Sequence, residues 1–332
     1  MAAAEMVELW RNGLLESIHR GHAVICDDSG AVVESWGDPG RIIFPRSACK
    51  MLQALPLLES GAADKVGLTD AHIALSCASH QGEALQVSMT DRWLKDLGLG
   101  ESDLRCGAHE PYDRVERDRL IRSHEAPCQL HNNCSGKHSG FLTVTQHLKA
   151  GPEYLELDHP LQRAIKAATE EVTGEDSAGY GIDGCSAPNF AMSVTGLARG
   201  MAAFAKARDT GSLRERAMHR LTHSMAAHPE LVAGQGRACT ELMRAMGGRV
   251  AVKHGAEAVY VAIIPERKLG VALKIEDGHV RASEAALVGI LTRLGVLNAA
   301  DPAAQKRLPA PQINCRGTRT GELRLSSAFL NA

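Results

Sequence analysis

Aromatic residues make up only 4% of the 332-residue chain, with three Trp, four Tyr and five Phe. So few rings argue against a platform on which single-stranded bases stack. Neither sign of charge dominates: 37 Lys and Arg against 39 Asp and Glu leave a formal −2. The basic excess that phosphate neutralisation requires is missing. Long apolar runs are missing as well; the longest, Val259–Pro265, is strand-sized, against the roughly 20 residues that span a bilayer. Glu5, Glu8 and Arg11 break any secretory h-region near the start. The expectation is a cytoplasmic protein with no nucleic-acid or membrane partner.

What is present suits a packed globular protein. Hydrophobic residues reach 44% and charged residues 23%, ordinary proportions for a globular chain. The length allows two domains or one two-lobed unit. Nine cysteines (Cys26, Cys49, Cys77, Cys106, Cys128, Cys134, Cys185, Cys239 and Cys315) are expected to be mostly thiols, since the cytosol is reducing. The bland reading of any one is a small buried hydrophobe.

Along the chain, His22–Cys26 and Ala31–Ser35 read as a hairpin around the turn-forming Asp27-Asp28-Ser29-Gly30. Ser47–Leu55 has helical spacing, interrupted at Pro56 and ending near Gly61. Thr69–Leu97 is helical on both sides of a break at Ser76–Gly82. Cys106–Asp113 and His131–Gly140 read as polar, small-residue loops. Helices are expected near Pro160–Thr173, Phe190–Ala207, Ser212–Ala227 and Ala282–Leu294, a turn-rich stretch at Gly179–Pro188, and strands at Ala256–Ile264 and Leu269–Ile275. Asn298–Pro311 reads as an Ala/Pro-rich linker, followed by an edge strand. The expected class is α+β: a mostly antiparallel sheet from the terminal segments (about 1–45 and 248–332), with 46–247 mainly helical, all in one catalytic unit.

Three constellations could carry chemistry. The first is Ser47-Ala48-Cys49-Lys50. Residues i and i+3 share a helix face, and a lysine amine taken out of water loses its preference for charge and can accept a serine proton. Chance alone predicts about 0.7 such pairs in this composition, so the pair needs context. Lys253-His254-Gly255 at the start of a predicted strand supplies some, because penicillin-recognising enzymes pair S-x-x-K with a K-T-G strand. The match is partial, since His254 fills the middle position and no S-D-N is present.

The second constellation is His131–Gly140. Cys134 and Lys137 are three apart in what reads as a Gly-containing loop, and Asp183-Gly184-Cys185 is another small turn with a thiol. Two thiols and an amine suit zinc with one open position, although a lysine ligand must first lose a proton. The third is Ser76–Glu83, either a plain helix-to-loop junction or a second hydroxyl, Ser79, with His80 and Glu83 orienting it.

Together the segments Arg46–Lys50, Cys77–Glu83, Asn133–His138, Gly181–Pro188 and Lys253–Glu257, in that order, resemble the rhizobial-type L-asparaginase family. Each motif is weak, but five in order are specific. The resemblance implies a fold like that of serine β-lactamases and glutaminases, a homodimer, and hydrolysis of L-asparagine to L-aspartate and ammonia. It implies two pairs, Ser47 with Lys50 and Ser79 with Lys253, with Ser47 as nucleophile. It also implies zinc on Cys134, Lys137 and Cys185, and substrate-binding roles for Arg46, His80, Asp183 and Cys239. A glutaminase or a penicillin-recognising Ser-Lys acyltransferase is the alternative.

Overall fold

The structure is a computed structural model, described here for residues 1–330. In chain order its strands are β1 (Ala4–Arg11), β2 (Leu14–Cys26), β3 (Val32–Trp36), β4 (Ile42–Ile43), β5 (Tyr180–Ile182), β6 (Pro188–Phe190), β7 (Met192–Ser193), β8 (Ala251–Gly255), β9 (Val259–Ile264), β10 (Leu269–Ile275), β11 (Ala310–Ile313) and β12 (Arg319–Leu325). The chain divides into two compact units. Unit 1 holds residues 1–48, 192–206 and 241–332, and unit 2 holds 49–191 and 207–240.

Unit 1 is built on an antiparallel sheet ordered β11-β12-β1-β2-β10-β9-β8, with β3 also paired to β2. The terminal segments therefore do form a sheet flanked by helices, the α+β arrangement expected from the sequence. The expected hairpins are there: Val24 faces Ser35 across β2 and β3, and Ala272 faces Val261 across β10 and β9. Every residue of Val259–Ile264 is buried, as expected where both faces of a strand are covered. The helices Val194–Lys206 and Val280–Arg293 both pack on β9 and β10. Each large aliphatic side chain so buried contributes about 1.5–3 kcal/mol.

Two expectations about the C-terminal segment need correction, whereas the N-terminal segment forms sheet as expected. Glu5, Glu8 and Arg11 lie in strand β1, which pairs with β2 on one side and β12 on the other. The alternation of buried Val7 and Leu9 with more exposed Glu8 and Trp10 is a half-buried strand pattern that the charged residues obscured. The tail strand β12 is interior, and β11 forms the edge. The expected linker contains the short helix Pro302–Gln305, and the buried Arg307 pairs with Glu241 and Glu284.

Unit 2 is helical apart from the hairpin of β5 and β6. Helices Asp70–Ser76 and Ala84–Asp96 flank the expected break, and Pro160–Thr173 is a helix as read. Pro56 does not end helicity. It occupies the first turn of the helix Leu55–Glu59, where its missing N–H costs nothing.

The expected loop His131–Gly140 is the largest correction. From Ser135 to His147 it is a helix, buried through Thr145. Of the two glycines that suggested a loop, Gly136 serves packing instead. A Cβ on Gly136 would lie 2.5 Å from the Leu75 carbonyl oxygen, so only glycine lets this helix approach Asp70–Ser76.

Candidate active site

The buried helix Ser135–His147 fixes the thiol cluster of unit 2. Cys134 caps its N-terminus and Lys137 lies in its first turn, so the three-residue spacing becomes a shared helix face. The third member comes from the turn between β5 and β6. There Asp183 N–H donates to Ala187 O, Ser186 N–H donates to Asp183 O, and Ser186 adopts φ +66. That tight turn carries Cys185 Sγ to 3.1 Å from Lys137 Nζ. Cys134, Lys137 and Cys185 are all buried.

The electrostatics of the three are coupled. Cys134 donates a hydrogen bond to Cys185, which together with burial pushes the Cys134 thiol up to about 12. The same bond, opposed by burial and helped by the Lys137 charge, holds Cys185 well below the ordinary thiol range. Burial works against the Lys137 ammonium, but Cys185, Cys134 and Asp183 outweigh it and raise its pKa. These shifts favour the thiolate form of Cys185 beside the ammonium form of Lys137.

Among the described residues no group of three or more His, Cys, Asp or Glu side chains is placed to hold a metal ion. The donor set expected for zinc has a lysine as its third member. Two buried thiols and an amine in mutual contact suit a soft divalent cation, so these residues fit the implied metal in chemistry.

Lys50 stands next to this cluster. It is 1% exposed, and its Nζ donates to Ala78 O, to Ser79 Oγ at 3.1 Å and to Cys134 Sγ at 3.0 Å. Ser79 is pinned by its own N–H, which donates to Val232 O at 2.8 Å. His80, fully buried, accepts the Gly82 N–H on Nδ1 at 3.1 Å, so its proton sits on Nε2 and points to Ser135 Oγ at 2.8 Å. Burial, then the charges of Lys50, His109 and His131, push its pKa down to about 3. His80 is a neutral brace between the Ser79 segment and the thiol-bearing helix.

In unit 1, Pro45 is followed by the 3-10 turn Arg46–Cys49, and Arg46 takes φ +51. Such a conformation in a non-glycine residue stores strain of order 1–3 kcal/mol, which tends to occur at functional sites. Ser47 sits in this turn, partly exposed. Strand β8 approaches the same turn closely: a Cβ on Gly255 would lie 2.5 Å from Pro45 O and 3.0 Å from Ala48 N. Lys253, two residues earlier, leaves the strand on the same face as that Cβ. It is fully buried, and its Nζ donates to His254 O at 2.8 Å.

Unit 2 therefore assembles Lys50, Ser79, His80, Cys134, Lys137, Asp183 and Cys185, while unit 1 brings the turn of Arg46 and Ser47 to the strand of Lys253. Cys239 is buried in unit 2, beside Thr240, whose hydroxyl donates to Gly234 O and Pro229 O. The reading of the sequence missed the segment 228–236. It supplies the Val232 carbonyl that positions Ser79 and, through Gln235 N–H, a donor to Glu83. Its signal was the run Ala233-Gly234-Gln235-Gly236, a small-residue turn between helical stretches.

Solved structures similar to this chain include a β-lactamase from Mycobacterium bovis, with 12% identity, 82% of this chain and 94% of that chain covered, and a TM-score of 0.48. Another is a D-alanine carboxypeptidase from Burkholderia cenocepacia, with 13% identity, 83% and 91% coverage and a TM-score of 0.39. Both likenesses are weak. None of the curated protein sequences matches the chain, and no helix among the described residues is long and apolar enough to cross a membrane. The family model for L-asparaginase II matches residues 7–325, nearly the whole length, and the chain belongs to that family.

Proposed function

We propose that this amidohydrolase converts L-asparagine to L-aspartate and ammonia, with Ser47 as nucleophile and Lys50 as its general base. Family membership supports the reaction class. The observation that carries the mechanism is the buried Lys50 amine bonded to Ser79 Oγ at 3.1 Å. Two residues 29 positions apart, each from a motif singled out in the sequence, meet out of water.

Lys50 Nζ donates three bonds in this arrangement, so to act as base it first gives up one proton, which leaves one lone pair to accept a proton and two N–H bonds to direct. In the proposed sequence the lone pair takes the Ser47 proton as Oγ attacks the side-chain amide carbon of asparagine. The proton then passes through Ser79 to the amide nitrogen. The C–N bond breaks, ammonia leaves, and an aspartyl ester remains on Ser47. Water attacks that ester, Lys50 takes the water's proton, and Ser47 regains one as aspartate departs. Lys253 serves either to hold Ser79 ready for proton transfer or to stabilise the developing oxyanion, since a buried positive charge lowers the energy of both.

Cys134, Lys137 and Cys185 are the residues that would hold zinc. When bound there, zinc would supply a positive centre that anchors the substrate's amino and carboxylate groups. Arg46, His80, Asp183 and Cys239 are proposed to shape the substrate site, Asp183 orienting substrate or ligands and His80 acting through Ser79. The same resemblance supports a cytoplasmic homodimer, which light scattering on the purified protein tests.

The deciding experiment is ammonia release from L-asparagine and L-glutamine by the wild type and Ser47→Ala. Asparagine turnover that disappears in the variant supports both activity and nucleophile. Retained turnover moves the nucleophile to Ser79 or to water. A wild type that prefers glutamine, or that a β-lactam acylates at Ser47, replaces the asparaginase reading with the corresponding alternative.

A further inference from the structure

Unit 2 holds a second assembly of nucleophile, imidazole and carboxylate that the proposed amide hydrolysis does not use. Cys128 caps the 3-10 turn Gln129–His131, and residues three apart in such a turn eclipse. Cys128 Sγ therefore lies 3.3 Å from His131 Nδ1, which also accepts the Cys128 N–H at 3.1 Å. With Nδ1 an acceptor, the ring proton sits on Nε2. Nε2 faces Glu116 Oε1 at 3.5 Å.

The support behind the imidazole is built into the fold. His131 is 5% exposed and Glu116 7%. Both Glu116 oxygens accept from Arg119, which, against the cost of burial, keeps the carboxyl below its ordinary range and hence charged. His131 Nε2 is buried and makes no hydrogen bond, so Glu116 acts on it across 3.5 Å as a charge and not as an acceptor. Other charged or titratable groups around the assembly are neutral His80, Glu125 paired with Arg119, Asp113, which accepts the Glu116 N–H, Glu101, which accepts the Gln129 N–H, and buried Cys106, whose Sγ donates to Gln129 O. Seven of the nine thiols are buried, but Cys128 is half-buried and Cys315 exposed.

We propose that Cys128 is a reactive thiol, activated by His131 and Glu116, that exchanges with low-molecular-weight disulfides. A sulfur acting only as a helix cap has no use for a neighbouring imidazole lone pair with a charged carboxylate behind the ring, whereas both favour a thiolate near neutral pH. His131 Nδ1 gives up its bond from the Cys128 N–H and takes the Sγ proton on the freed lone pair, and the thiolate attacks one sulfur of the disulfide. A new S–S bond forms as the old one breaks, and the leaving thiolate takes the proton from His131. The products are a mixed disulfide on Cys128 and one free small thiol.

The test uses the intact protein, alkylated under native conditions with iodoacetamide between pH 6 and 9, with Cys128 and Cys315 quantified by peptide mass spectrometry. A His-paired thiol ionises at or below about pH 7.5 and an ordinary one near 8.5. The ratio of the Cys128 rate to the Cys315 rate should therefore fall about ten-fold from pH 6 to pH 9, a change that differences in exposure cannot produce. His131→Gln should flatten the ratio and Glu116→Gln should reduce its fall, each with circular dichroism showing a folded chain. Oxidised glutathione at pH 7 should add to Cys128 before Cys315. A ratio independent of pH, or glutathione appearing first on Cys315, overturns the proposal. Should His131→Gln fail to fold, the wild-type profile and Glu116→Gln decide it.

Discussion

Lys50 Nζ and Cys134 Sγ, 84 residues apart in sequence, meet at 3.0 Å. The base proposed for amide hydrolysis thus touches one member of the thiol cluster, so changes on one side should be felt on the other. That contact separates variants of Lys50 from variants of the thiols by what each disturbs.

Replacing Lys50 with arginine keeps the charge and removes the base, because a guanidinium does not deprotonate in proteins. We expect kcat to fall by about 10²–10⁴-fold, the usual worth of a general base, with the protein still folded. Steady-state ammonia release and a thermal melt check this; near-normal kcat in Lys50→Arg removes Lys50 from the base role.

Cys134→Ser and Cys185→Ser should each lower bound zinc, read by elemental analysis of protein purified without chelator, from about one ion per chain to a small fraction of that, since thiolates are the soft donors of the site. If zinc anchors substrate, chelation of the wild type raises KM more than it lowers kcat. A chelated enzyme with unchanged KM and no kcat would show that the ion takes part in the chemical step.

Gly136→Ala adds a methyl group that meets the Leu75 carbonyl at 2.5 Å. Forcing the two helices apart should cost about 1–3 kcal/mol, measured as a lower urea midpoint with an unchanged slope. Gly140→Ala is the control: its Cβ would meet side chains at 3.4 Å, ordinary contact, and it should be close to neutral. Equal effects at the two positions would contradict the packing argument.

His80 supplies a pH dependence with a definite sign. Its folded pKa is lowered to about 3, while an unfolded histidine titrates near 6.5. Below about pH 6.5 the unfolded chain takes up a proton that the folded chain refuses, so its contribution to stability is full above pH 6.5 and is lost progressively as pH falls towards 3. The slope is about 1.4 kcal/mol per pH unit at most. Urea unfolding at pH 7.5, 6 and 5 should show a steeper loss for the wild type than for His80→Gln; parallel curves would mean that His80 takes a proton in the folded state.

Strong periodicity was legible before any coordinates. Pro160–Thr173 carries a proline at its start and Gly174 just past its end, and both ends fall where those residues put them. The hairpins of β2 with β3 and β9 with β10 were equally plain, because their turns are composed of turn residues. Where reading failed, tertiary packing overrode local preference. Ser135–His147 contains Gly136, Ser139 and Gly140, poor helix formers, and Gly136 is needed because another helix lies against it. The motif residues were visible as types and spacings, but the contacts of Lys50 with Ser79 and Cys134 have no sequence signal at all. Nothing local in Lys50 indicates that its amine turns toward residues 29 and 84 positions away.

The pairing of β1 with β12, in which Val7 faces Leu325, sets an order on the making of this protein. A chain synthesised from its N-terminus holds β1 with one edge open until β12 has been made, and β12 lies far downstream of it. By then every residue of unit 2 has left the synthetic machinery. The buried strand that carries Lys253 belongs to a sheet that is complete only once β12 is made, and until that moment the open edge of β1 is where a nascent chain is exposed to pairing with a neighbour.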